Sequence, residues 1–336
     1  MENNKKLGSS GIYELAAKGD IPALLRIVEE SPHHNDLKFA IRALGDLKSQ
    51  EAVDPIIPHL LSQFISVRSA AIRALGEIGN ARALKPLTLI LENEKDPSRF
   101  EALDALGNFD HPAAIKALIK VLSDPSADIA ERAIVLLQNK GNPVVEPLLA
   151  ELQIAETGVR QKIIKILGTV GDEKTGQFLM EMVKDTEAPQ VCREEAVLAL
   201  AGIRKGWDLD YILQSVSRPL PAEDKNYALR CYLVTLLGET GNKAVTKTLL
   251  ELLLNKSEEL RVRYHAASAI GRLGDTGAVE ALIGFLEDSR EQTLKEAAFA
   301  AILALNSKRS APFIVDYLKK DSSFMDQHKL MTPADM

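Results

Sequence analysis

Six histidines and two cysteines are the side chains of this 336-residue chain best suited to nucleophilic or metal chemistry. The histidines are His33, His34, His59, His111, His265 and His328, and the cysteines are Cys192 and Cys231. Neither set has the spacing of a zinc site, and two cysteines make no disulfide framework. Cys231 and His265 could in principle form a thiolate pair, although chance placement is the simpler reading. The sequence contains no Gly-x-Ser-x-Gly elbow, and no glycine-rich phosphate loop follows a strand-like segment. No catalytic residue, metal or cofactor is therefore expected, and the residues lean away from an enzyme.

Residues that could bind are easier to find. Aromatics make up only 5% of the chain, yet Tyr227, Tyr232, Tyr264 and His265 fall close to Arg261 and Arg272 in two consecutive sequence units. Tyr and Arg join an apolar body to a polar tip and are common interface anchors. This cluster is the expected partner site. A second, acidic candidate is Glu101, Asp104, Asp128 and Glu131, which could attract a cation or a basic partner. A third set, Arg68, Arg99, Arg160, Arg193, Arg230 and Arg263, recurs at one position of successive units. Identical residues at identical repeat positions usually serve stacking, so these arginines are expected to form a structural ladder to carboxylates or loop carbonyls.

The elements that position these residues repeat about every 31 residues. Val67 to Asn80 and Val262 to Asp275 follow one pattern, and each is followed by a short apolar helix pattern. Aligned on the glycine of Ala-Leu-Gly, the anchors are Gly45, Gly76, Gly107, Gln138, Gly168, Ala201, Gly238, Gly271 and Ile302. A fixed period of this size signals stacked supersecondary units. Each unit reads as two helices, because its apolar residues recur at helical spacing and polar turns separate the runs. Glycine after the second helix suits a left-handed C-terminal cap. Asn80, Asp172, Asn242 and Asp275 are then placed to cap the next helix.

The pattern Val-Arg-x-x-Ala-Ala-x-Ala-Leu-Gly-x-Ile-Gly-Asp resembles HEAT repeats, and more narrowly the short HEAT-like type of phycobilisome lyases. The resemblance runs from about Ile12 to Lys319. It implies an all-α, right-handed solenoid of about nine two-helix repeats with terminal half-repeats, second helices lining a concave binding surface. It also implies a protein–protein interaction scaffold that holds a protein or peptide partner on that surface. The alternatives are a bilin lyase-like subunit or assembly factor and a HEAT-like DNA-repair glycosylase. HEAT-repeat di-iron hydroxylases that modify a lysine carry His-Glu pairs in several repeats. None of the six histidines here is followed by Glu, which argues against that chemistry.

Composition agrees with a folded interaction protein. The net charge is −6 with 26% charged residues, so the broad basic footprint of a nucleic-acid binder is missing. Second-helix positions such as Lys38, Arg42, Asp46, Arg73, Glu77, Glu101, Asp104 and Arg132 mix signs, again unlike a nucleic-acid groove. No apolar run reaches the roughly 18 residues of a membrane span, and no secretory segment opens the chain, so a cytoplasmic location is expected. Residues 1–10 and 321–336 are polar and expected to be flexible, leaving 11–320 as one solenoid.

Overall fold

The computed structural model describes residues 8–218, 227–306 and 310–320. The C-terminal tail from 321, residues 1–7 and most of the proline-bearing insertion (219–226) lie outside them. Among the described residues there are twenty α-helices and no strand. They run α1 (Gly8–Lys18), α2 (Ile21–Glu30), α3 (His34–Asp46), α4 (Val53–Ile56), α5 (Ile65–Ile78), α6 (Leu84–Glu92) and α7 (Arg99–Gly107). There follow α8 (Pro112–Lys120), α9 (Ala127–Lys140), α10 (Val145–Ile154), α11 (Thr157–Val170), α12 (Glu173–Lys184) and α13 (Gln190–Ile203). The last are α14 (Leu209–Ser217), α15 (Tyr227–Glu239), α16 (Thr246–Leu254), α17 (Leu260–Leu273), α18 (Val279–Asp288), α19 (Gln292–Leu305) and α20 (Ser310–Lys320). α1 begins at Gly8, within the polar segment 1–10.

Even-numbered helices are the first of each repeat and odd-numbered helices the second, giving nine complete pairs from α2–α3 to α18–α19. The contacts cluster into two units that divide between Ile166 and Leu167. Within each unit the architecture is an α-solenoid.

Local sequence explains the boundaries. Asn80, Asp172, Asn242 and Asp275 each accept a backbone N–H from the following turn, at 2.9, 3.0, 3.0 and 3.0 Å. Such caps satisfy amides that the helix leaves free. Gly79 and Gly274 end α5 and α17 with φ of +70° and +74°, a left-handed conformation that strains residues bearing a side chain. Gly176, which the sequence suggests as a turn residue, lies instead inside α12, where the Lys205 carbonyl packs against its bare Cα.

Side-chain size sets the stacking. A β-carbon on Gly45 would lie 2.8 Å from the Cα of Ala74, and on Gly76 2.9 Å from the Cα of Ala105. The same contact recurs at Gly168 with Ala199, Gly238 with Ala269 and Gly271 with Ala301. Each glycine receives the alanine of the next second helix, so the two backbones touch. Around this seam Ala71, Ala74, Leu75 and Ile72 are at most 1% exposed. First helices close the other side with stripes such as Leu84, Leu87, Ile90 and Leu91 of α6, each buried leucine contributing about 1.5–3 kcal/mol.

Two glycine substitutions should therefore act in opposite directions. Gly76→Ala gains about 1 kcal/mol of helix propensity but drives a methyl into backbone, costing about 1–3 kcal/mol, so the net effect is destabilising. Gly284→Ala in α18 meets nothing within 4 Å and should stabilise by about 0.5–1 kcal/mol. Urea midpoints of the two variants read both signs directly.

Candidate functional site

The recurring arginines occupy a shared geometry. Arg99, Arg193 and Arg263 donate Nε to the carbonyls of Leu91, Val183 and Leu253, at 2.8, 3.0 and 2.9 Å. Arg160 reaches the Gln153 carbonyl at 3.3 Å, and Arg230 the carbonyls of Ser215 and Arg218 at 3.1 and 2.6 Å. Each therefore sits over the C-terminal end of the first helix of its own repeat, where a cation is favoured. Three also reach the loop of the next repeat: Arg68 to Ser98 at 3.0 Å, Arg99 to Asp124, and Arg230 to Glu258 at 2.7 Å. Arg99, Arg230 and Arg263 are at most 9% exposed. Little of this cation density is left for a ligand.

The aromatic cluster is only partly assembled. Tyr264 and His265 meet edge to face at 5.9 Å, and His265 Nδ1 pairs with Thr235 Oγ1 at 2.9 Å. Arg272 bonds Glu239 at 3.2 Å, and Arg204 meets the same carboxylate at 3.4 Å. Tyr264 is 45% exposed, Arg261 is exposed, and Tyr227 and Tyr232 are half-buried. His265 spends its Nδ1 on Thr235, and burial pushes the Cys231 thiol up to about 11. The two do not form a reactive couple.

Among the described residues no group of three or more His, Cys, Asp or Glu could hold a metal ion.

The acidic candidates divide. Glu101 and Asp104 line a cavity of about 380 Å³, while Asp128 and Glu131 are separate exposed residues on α9. The cavity lies between the second helices α5, α7 and α9, and Glu77, Arg73, Arg132, Ile72 and Leu136 complete much of its wall. Ser69 Oγ donates to Glu101 at 3.0 Å, and Arg132 bonds Asp104 at 2.6 Å. Burial raises the pKa of Glu77, nearby Asp46 raises it further, and Arg73 and Arg42 oppose both.

Leu136 is part of the reason for this opening. It stands where Ala74, Ala105 and Ala199 stand in other repeats, and its branched end rather than a bare backbone faces Gly107. Larger side chains at a helix contact hold the axes further apart. Sequence reasoning singled out Glu101 and Asp104 but missed Leu136, although Gln138 in place of the anchor glycine already marked that repeat as irregular.

A chain of stacked helix pairs with ladder arginines and a cavity on its second helices is a repeat protein of the α-solenoid class. A family model described as HEAT repeats matches residues 21–107, 59–134, 115–201 and 220–303, and the chain belongs to that family. A deoxyhypusine hydroxylase of Neurospora crassa is 31% identical over 134 residues, which is 39% of this chain and 41% of that protein. One from Chaetomium globosum is 30% identical over 133 residues, 39% and 38% of the two chains. The matched stretch thus spans about two-fifths of these curated relatives. The crystal structure of Kap121p shares the fold at a TM-score of 0.57 and 15% identity, over 91% of this chain and 39% of that one.

These relatives correct the sequence-based expectation. They are named as enzymes, which overturns the reading of a plain interaction scaffold with a bilin lyase-like subunit or DNA glycosylase as alternatives. The narrower likeness to phycobilisome lyases is likewise not what the relatives are. The di-iron centre that the sequence comparison associates with lysine-modifying HEAT hydroxylases does not fit the donors here. No histidine precedes a glutamate, and no metal-holding cluster forms among the described residues. No step is drawn through such a centre.

Two measurements probe this geometry. Arg230→Met leaves Glu258, whose side chain is 8% exposed, without its cation, and should cost about 3–5 kcal/mol. Arg82→Met removes a pair that is about two-thirds exposed on both sides, and should cost about 0–1 kcal/mol. Comparing the two urea midpoints separates buried from solvated pairing.

The second measurement concerns His265, whose pKa is lowered from 6.5 because burial disfavours the imidazolium and Arg272 adds like charge. As pH falls the unfolded chain takes the proton first, so this contribution is intact above ~6.5 and is lost below it. Unfolding midpoints should drop between about pH 7.5 and 5.5. His265→Gln should flatten part of that drop, and an unchanged slope would remove His265 as its source.

Proposed function

We propose that the chain recognises a long, flexible amine of the deoxyhypusine kind in the cavity between α5, α7 and α9, using a repeat frame related to that of the hydroxylases. The observation that carries this reading is the pair of carboxylates Glu77 and Glu101 on one cavity wall. Asp104 is paired with Arg132, whereas Glu77 and Glu101 form no salt bridge among the described residues and Glu101 accepts the Ser69 hydroxyl. Deoxyhypusine is a lysine side chain lengthened by an aminobutyl group, hence cationic at neutral pH. Its methylenes would lie along the half-buried Leu136, as long cationic side chains lie along apolar surface. An ammonium beside Glu77 would offset the burial that now favours its neutral form. A volume of about 380 Å³ falls within the range of small-ligand sites, roughly 300–1,000 Å³.

The test is isothermal titration of the whole chain with a peptide carrying deoxyhypusine, against the same peptide carrying norleucine. The cationic peptide should bind and the neutral one should not. Glu77→Gln and Glu101→Gln should each weaken binding about fivefold, or about 1 kcal/mol. Affinity indifferent to both substitutions would remove the proposal. With ferrous iron and oxygen supplied, the peptide mass should stay unchanged, because the chain lacks the His-Glu donor set.

A further inference from the structure

A second cavity, of about 250 Å³, lies one turn toward the N-terminal ends of α3 and α5, lined by Lys38, Arg42, Ser66, Ser69, Ala70 and Arg73. Lys38 and Arg42 are four residues apart and share one face of α3. Ser66, Ser69, Ala70 and Arg73 fall at offsets of three, four and seven on α5, again one face. Two helical stripes therefore meet across a gap and place three cations on it.

These cations differ from the ladder arginines. Among the described residues none of Lys38, Arg42 and Arg73 forms a salt bridge, whereas the ladder residues Arg99 and Arg230 each do. Arg42 and Arg73 are exposed, and Lys38 lies over the Phe39 ring at 5.3 Å. The Glu77 carboxylate is near enough to interact with Arg73 and Arg42 but does not line this cavity, so three like charges face the opening and raise the local potential, even in a chain of net charge −6. A bound anion would offset that potential. Guanidinium forks match the oxygens of a phosphate two at a time, and an ammonium adds a compact third charge. The Ser66 hydroxyl supplies a further donor, since that of Ser69 is committed to Glu101.

We infer that this cavity is a phosphate-binding site, taking inorganic phosphate or a phosphate monoester through Lys38, Arg42 and Arg73. The inference stands apart from the amine site: Lys38 and Arg42 do not line the larger cavity, and Glu77 and Glu101 do not line this one.

Isothermal titration of the whole chain with inorganic phosphate, glycerol phosphate and acetate tests it. Phosphate should bind and acetate should not, and added salt should weaken phosphate. Arg42→Gln should lower phosphate affinity at least tenfold and Lys38→Gln at least threefold, with unchanged melting temperatures because both side chains are outside the core. Tighter glycerol phosphate would identify a monoester as the natural ligand, and tighter inorganic phosphate the free ion. Glu77→Gln removes an anion that interacts with Arg73 and Arg42 and should tighten phosphate while weakening the amine, so failure of the amine site leaves this result readable. No measurable phosphate binding, equal binding of acetate, or a phosphate affinity unmoved by both cation substitutions would overturn the assignment.

Discussion

Backbone-to-backbone contact between neighbouring second helices governs this structure. It requires a residue with no β-carbon on one helix and a methyl on the next, and the chain supplies that pair at Gly45–Ala74, Gly76–Ala105, Gly168–Ala199, Gly238–Ala269 and Gly271–Ala301. Atoms packed this closely leave no space to absorb an added methyl. Once the seam fixes the approach of two second helices, the apolar stripes of the first helices can close over them. In five repeats an arginine then finds a carbonyl at the end of the first helix. The seam accounts for the constancy of the frame and also for its indifference to ligands, because a position filled by glycine or alanine offers a ligand nothing to bind.

The larger cavity adjoins a place where the seam is interrupted. At Gly107 the neighbour is Leu136, and the facing helices α7 and α9 are separated by a side chain instead of touching. The opening exposes one further stripe of each second helix, and those stripes carry Glu77, Glu101, Asp104 and Arg132. Asp104 and Arg132 neutralise each other. The unmatched charge is left on Glu77 and Glu101, and one turn away on Lys38, Arg42 and Arg73. Opposite signs thus occupy adjoining cavities that share Ser69 and Arg73.

Much of the frame was legible in the sequence because it rests on local rules that repeat. The 31-residue interval, the cap residues Asn80, Asp172, Asn242 and Asp275, and the C-terminal glycines Gly79 and Gly274 each depend on a few neighbouring residues. The recurrence of Arg68 to Arg263 at one repeat position pointed to a ladder for the same reason. The site was less legible, because a cavity depends on how far apart two helices stand. Glu101 and Asp104 are separated by one turn on α7 and so read as one patch with Asp128 and Glu131. In three dimensions Ser69 and Arg132 draw the first two into a cavity shared with Glu77, and Asp128 and Glu131 stay outside. The geometry of the tyrosine cluster was not legible for a related reason. Scarcity of aromatics makes a cluster conspicuous, but it does not say which rings meet, and the structure pairs Tyr264 with His265 while Tyr227 and Tyr232 sit half-buried.

Relatedness and chemistry also separate in physical terms. Residues that hold helices together recur in every repeat, so an alignment of repeat proteins is weighted toward glycines, alanines, leucines and ladder arginines. Those residues carry the frame and are, by the packing argument, chemically silent. Donors for a metal centre are few, and each occurs once at a particular place. Two histidines of this chain serve the repeat frame: His59 is bonded to the Val28 carbonyl at 3.2 Å, and His111 caps α8 through Ala113 at 3.1 Å. Both imidazoles spend a ring nitrogen on backbone and serve the fold. What sets the second helices of the first unit apart from a bare repeat frame is a small set of charges, Lys38, Arg42, Arg73, Glu77 and Glu101, that form no salt bridge among the described residues and line two adjoining cavities.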